Sequence, residues 1–202
     1  MVKKILVLAV SLNLLWSASS CHRTIMSAVD YTVEHQQKTD FEKLLVAEST
    51  GIDMWEKFVF ENGGKYDIQI HFYQNGSYDI FGEMTGISTS GKDEPICISG
   101  RKDGNVDFVW SISKGDILNN YIASCRIDDD RQFLEACGIG QSKILLEEDN
   151  EYVLVYFVFK EGLDLPISLT ERFLCWDTIE DKTEALKDFD YAYVVTVRVN
   201  DV

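Results

Sequence analysis

Tyr66-Asp67-Ile68-Gln69-Ile70-His71-Phe72-Tyr73-Gln74-Asn75-Gly76-Ser77-Tyr78-Asp79-Ile80 is the stretch on which the fold turns. Tyr66, Ile68, Ile70 and Phe72 alternate with Asp67, Gln69 and His71, which is the period of a half-buried strand. Asn75-Gly76 then supplies the pair that a two-residue type I′ turn demands, because both central residues need positive φ. Tyr78, Ile80 and Met84 are expected to carry one face of the returning strand. A hairpin so specified belongs to an antiparallel sheet.

Outward from it the same period recurs. Upstream, Met54 to Phe60 is an aromatic, β-prone run ending at Gly63-Gly64. Downstream, Ile96–Ser99, Val106–Ile112 and Tyr121–Ile127 read as strands, the first two joined by the Asp103-Gly104 turn. Tyr152 to Phe159 is apolar at every position, so both its faces should be covered, as in a central strand. Glu171–Thr178 and Tyr191–Val199 complete the set, with a helical turn or two expected in Asp181–Phe189. A short helix is expected over Asp129–Cys137, closed by Gly138, so that Gly138-Ile139-Gly140 reads as a helix stop and turn. Eight or so short strands define a mainly β fold, an antiparallel sandwich or a closed barrel, preceded by a short N-terminal helical segment. Gly51 and Trp55 near the start of the sheet, with a helix before the last strand, resemble a lipocalin-like barrel. The glycine-x-tryptophan spacing of that family is absent, so the resemblance implies no more than a barrel able to enclose one small ligand.

Three segments are expected: residues 1–20 as a signal peptide, 21–50 as a helical lead-in, and 51–202 as one β-rich domain. Lys3 and Lys4, the apolar run from Ile5 to Trp16 and the small residues Ser17 to Ser20 follow the order of a secretory leader. Cleavage after Ser20 leaves Cys21 first, which opens a second reading, a bacterial lipoprotein acylated at Cys21 and held at the cell envelope. The lead-in carries Val29, Val33, Phe41, Leu44 and Leu45 at loosely helical spacing, with Thr39 or Asp40 as a cap.

The 202 residues hold 34 Asp and Glu against 19 Lys and Arg, a net charge of −15. Removing the leader takes two lysines and no acid. Such a surface repels nucleic-acid phosphate and, once the leader is gone, gives no reason for membrane insertion unless a lipid is attached. It favours a basic extracellular protein, peptide or amine. Asp128, Asp129, Asp130, Glu147, Glu148, Asp149 and Glu151 are the candidate patch for that partner, and they lack the spacing of a calcium loop. In an oxidising compartment Cys97, Cys125, Cys137 and Cys175 are expected to form two disulfides, in any of three pairings. Asn75-Gly76-Ser77 is also a glycosylation sequon on a hairpin tip.

Of three histidines, His22 and His35 fall in the leader's wake and the lead-in, and His71 alternates away from the apolar face. No metalloprotease, nucleophile-elbow or phosphate-loop motif is present, and no cofactor is expected. The expected function is therefore a secreted, non-enzymatic binding protein that engages a protein or small molecule outside the cell and modulates a host or competitor. A secreted hydrolase built on dispersed carboxylates is the other alternative, since acid pairs need only spatial proximity.

Overall fold

A computed structural model describes residues 31–43, 54–91, 94–114, 121–125, 129–147, 150–162, 175–176 and 179–200. The strands are β1 (Tyr31–Gln36), β2 (Met54–Phe60), β3 (Gly64–Gln74), β4 (Ser77–Thr89), β5 (Ile96–Lys102), β6 (Phe108–Lys114), β7 (Tyr121–Cys125), β8 (Leu134–Ile139), β9 (Lys143–Leu146), β10 (Glu151–Lys160), β11 (Cys175–Trp176) and β12 (Tyr191–Val199). The helix α1 spans Ile179–Leu186.

The strands form two antiparallel six-stranded sheets. The first runs β7-β6-β5-β2-β1-β9; the second runs β11-β10-β12-β3-β4, with β8 also on β10. β8 and β11 share one edge of β10, β8 along Val155–Lys160 and β11 at Glu151 and Tyr152. Among the described residues neither hydrogen-bonded path closes on itself, so the architecture fits a sandwich rather than the lipocalin-like barrel.

The inward rows interdigitate as alternation requires. Phe58, Phe60, Phe108, Trp110 and Ile112 of the first sheet meet Tyr66, Ile68, Ile70, Phe157 and Tyr193 of the second. Phe108 lies 4.5 Å from Phe157 and 5.4 Å from Tyr193, ring centre to ring centre, and the Tyr193 hydroxyl donates to the Val106 carbonyl at 2.9 Å. β10 is buried along both faces as its apolar run demanded. Its outward residues Val153, Tyr156 and Val158 join Tyr73, Ala192 and Val194 beneath Ala185 and Leu186 of α1 and the following Phe189, a second apolar layer outside the sandwich.

The hairpin forms as read. Asn75 and Gly76 take φ of 46° and 87°, and β3 pairs with β4 from Gln74↔Ser77 onward. Two irregularities then shift the register, between Ile70 and His71 and between Tyr66 and Ile68. The first turns Ile80 away from Met84: Ile80 stands opposite His71 and is 51% exposed, whereas Met84 packs against the core. The second sits at Gly86, whose φ is +60° and whose N–H donates to Asp67 Oδ1 at 2.7 Å.

Two expectations of helix are overturned. Within the lead-in, Tyr31–Gln36 is a strand, because Tyr31, Val33 and His35 alternate and β2 and β9 supply partners on both sides. Among the described residues helix follows at 40–43, where Thr39 caps reciprocally as expected of it, Glu42 N–H to Thr39 Oγ1 at 3.2 Å and Thr39 N–H to Glu42 Oε2 at 2.8 Å. Within Asp129–Cys137 there is no helix among the described residues, and β8 pairs with the apolar edge of β10 instead. Gly138 lies inside that strand, where a Cβ would stand 2.6 Å from the Tyr156 hydroxyl, so its role is close approach and not a helix stop. Residues 1–30, with the expected leader and Cys21, lie outside the described residues, as do most of 163–178.

Candidate functional site

The outer face of β3 carries Asp67, Gln69 and His71, residue types that the alternation assigns to solvent. All three are buried instead, at 3%, 7% and 1% exposure. A buried polar group is tolerable only where neighbours satisfy it, and each of these is satisfied by residues distant in sequence.

His71 is the centre. Its Nε2 lies 2.8 Å from Thr196 Oγ1, a diagonal neighbour on β12 separated by 125 residues, and also contacts Glu151 Oε1 at the start of β10. Thr196 Oγ1 donates to the same Glu151 oxygen, and Lys182 of α1 reaches the other carboxylate oxygen. Because Thr196 donates to Glu151, Nε2–H of a neutral ring is the donor facing both oxygens. Burial would push the Glu151 carboxyl up, but the bonds from His71, Lys182 and Thr196 outweigh it and hold it at about 2. Burial pushes His71 below the ordinary 6.5, against the pull of Glu151. The cluster at neutral pH is thus one carboxylate, one ammonium and a neutral imidazole. Threonine, histidine and glutamate would suggest a nucleophilic relay, yet both oxygens meet the same ring nitrogen, whereas a relay puts nucleophile and carboxylate on opposite nitrogens. Thr196 is only 1% exposed as well, so no substrate reaches its hydroxyl.

Along the same face Gln69 donates to Glu83 of β4 at 2.6 Å. Asp67 accepts from the Gly86 N–H, from Asn200 Nδ2 at 2.9 Å and from Arg198. Burial acts to raise the Asp67 pKa, and these donors bring it below the ordinary carboxylate value.

His35, expected in a helix, points inward from β1 opposite Phe58, with Nε2 2.6 Å from Glu56 Oε2. Lys38 donates to the other Glu56 oxygen at 2.9 Å, so a second histidine–glutamate–lysine group sits half-buried at one end of the first sheet.

Of the acidic residues proposed from sequence, Asp129 and Glu151 are held at separate places. Asp129 is bound by Arg131, Nη2 to Oδ2 at 2.7 Å, and by the Tyr191 hydroxyl at 2.6 Å, and the guanidinium in turn covers Phe133. Arg131 and then Tyr191 hold the Asp129 carboxyl well below the usual carboxylate range. Asp129 is thus fixed at Tyr191, whereas Glu151 is fixed at Thr196, five residues or roughly 17 Å further along β12 at about 3.4 Å per residue. Asp130 and Glu147 are exposed; Asp128, Glu148 and Asp149 lie outside the described residues.

Among the described residues no disulfide forms, against the two expected. Cys97 carries its thiol on the outer face of the first sheet, where burial raises its pKa, and Cys137 carries its own on β8 of the second sheet, so these two cannot meet. The side chains of Cys125 and Cys175 are outside the described set. Among the described residues no cluster of histidine, cysteine and carboxylates has the makings of a metal site, and no helix is long and apolar enough to cross a membrane.

Comparison with protein-family profiles, with curated proteins and with solved structures finds no match to this chain.

Proposed function

We propose that this chain is a secreted, non-enzymatic binding protein that engages a basic extracellular protein, peptide or amine and so modulates a host or competitor. One observation carries the reading: the negative surplus is not answered within the fold. Ten described lysines and arginines, from Lys38 to Arg198, each lie within ion-pair distance of a carboxylate. With those cations already engaged, the excess of 34 acids over 19 bases projects outward as a field that steers cations. The leader-like Met1–Ser20 supports delivery outside the cell. The exposed Asn75 tip, with open space around Gly76, supports N-glycosylation there in a eukaryotic host.

Mass spectrometry of the natural product is the first test. A start after Ser19 or Ser20 with a glycan on Asn75 supports the reading, and a diacylglycerol mass on Cys21 replaces it with an envelope lipoprotein. Binding to poly-lysine peptides supplies the second. Affinity should fall steeply as salt rises, and an affinity indifferent to salt overturns the basic-partner proposal.

A further inference from the structure

His71, Glu151, Lys182 and Thr196 join three strands to α1, which lies outside the sandwich. We propose that this cluster is an acid-sensitive latch, in which protonation of His71 releases α1 from the outer face of the second sheet.

The argument starts from charge balance in a buried place. In the neutral-ring state Glu151 meets one full cation, Lys182, plus two neutral donors, Thr196 and the ring N–H. A proton arriving on the ring makes two cations compete for one carboxylate. It also puts a net positive charge where His71 and Thr196 are each 1% exposed and Lys182 is 8% exposed. Glu83 of β4 favours the charged ring, but that carboxylate is exposed and already accepts from Gln69, so solvent weakens its effect. Burial accordingly keeps the ring neutral until the medium is acidic.

The strain has one cheap exit. His71 is fixed mid-strand between β4 and β12, paired on both sides, and cannot withdraw. Lys182 rides on an eight-residue helix and ends a flexible four-carbon stem, whereas His71 is locked in the sheet, so Lys182 is the cation that leaves. With Lys182 gone, the apolar contacts of Ala185, Leu186 and the following Phe189 are what the described core offers α1, and a helix this short has little stability of its own. The face it uncovers is apolar: Tyr73, Val153, Tyr156, Val158, Ala192 and Val194. Glu184 of α1 pairs with Lys187 just past its end, and the two take no part in the latch.

The experiment measures hydrogen-exchange protection factors on the intact protein, with a dye that fluoresces on apolar surface, from pH 7.5 to pH 5. Protection across 179–189 should fall about tenfold for each unit below the His71 pKa, with dye binding rising in step, while β10 and β12 stay protected. His71→Gln keeps a donor toward Glu151 but cannot charge, so the acid step should vanish. Lys182→Met keeps the stem and removes the competing cation. Protonated His71 then pairs with Glu151 alone, and α1 should stay docked at pH 5. Constant protection in the wild type, or an acid step preserved in His71→Gln, overturns the latch. Should His71→Gln fail to fold, a Lys182→Met protein that still opens in acid overturns it equally.

Discussion

Asp67 shows what a single residue contributes on the buried outer face of β3. Its carboxylate answers Gly86, Asn200 and Arg198, so replacing it by asparagine turns an acceptor into a donor facing two donors. Asp67→Asn should cost about 1–3 kcal/mol at pH 7, read from urea unfolding. The pH dependence has a definite sign. The folded carboxyl has a depressed pKa, so its stabilisation is complete above the ordinary 3.8 and is lost as pH falls through the lower folded value. The difference between wild type and variant should therefore shrink below about pH 4. Gly138 offers a steric counterpart. Alanine there drives a methyl to 2.6 Å from the Tyr156 hydroxyl and 2.8 Å from Cζ, both under α1. Gly138→Ala should cost about 1–3 kcal/mol, and in a double-mutant cycle with Tyr156→Phe the two costs should sum to more than the combined variant loses. None of these contacts is legible in sequence. Asp67, Gln69 and His71 read as solvent-facing because alternation tells which face a residue takes, not whether another layer covers that face. Their partners lie on strands that only the fold brings near.

At the scale of the element, legibility follows how local the determining interaction is. The β3–β4 turn is set by two adjacent residues, and β10 by an unbroken apolar run, so both could be read without knowing the neighbours. β8 could not: among the described residues it pairs with β10 alone, and its residues are half-buried or exposed, which leaves no alternation. β1 was masked by the helical spacing of Val29, Val33 and Phe41, and pairing with β2 and β9 overrides that spacing. The acidic runs look alike in composition, which does not reveal that Asp129, paired with Arg131, and Glu151, paired with Lys182, meet β12 at separate places. The readable turn makes its own prediction. A side chain on Gly76 meets nothing within 4 Å, so the cost of replacing it is that of a positive φ alone. Gly76→Val should lower stability by about 1–2 kcal/mol and Gly76→Asn by distinctly less, since asparagine tolerates the left-handed region. Equal losses would mean that contacts and not backbone conformation set the turn. α1 tests the second apolar layer in the same way. Leu186 is fully buried against β10 and β12, and Leu186→Ala should cost about 2–5 kcal/mol by the cavity it leaves, with exchange protection lost first across 179–189.

For the molecule as a whole, the choice between sandwich and barrel rested on which edges pair, a question of contacts between strands far apart in the chain, and composition is silent on it. Charge is different, because a surplus of acids acts through space whatever the topology. A chain with net charge −15 repels itself when compact, and mobile salt screens that repulsion at a Debye length of about 10 Å in 0.1 M electrolyte. Salt also weakens exposed ion pairs, but each is worth only about 0–1 kcal/mol, and the tighter group around Glu151 is buried from it. Repulsion should dominate, so the midpoint of thermal unfolding should rise as sodium chloride increases from 10 mM to about 500 mM, since the Debye length falls from about 30 Å to less than 10 Å over that range. A partner drawn by the same field should respond in the opposite direction, binding more weakly over the salt range that stabilises the fold. Unfolding and poly-lysine binding measured on one salt series therefore check the claim twice. If stability fell with salt, the internal ion pairs would outweigh the surplus, and the outward field would be too weak to steer a basic partner.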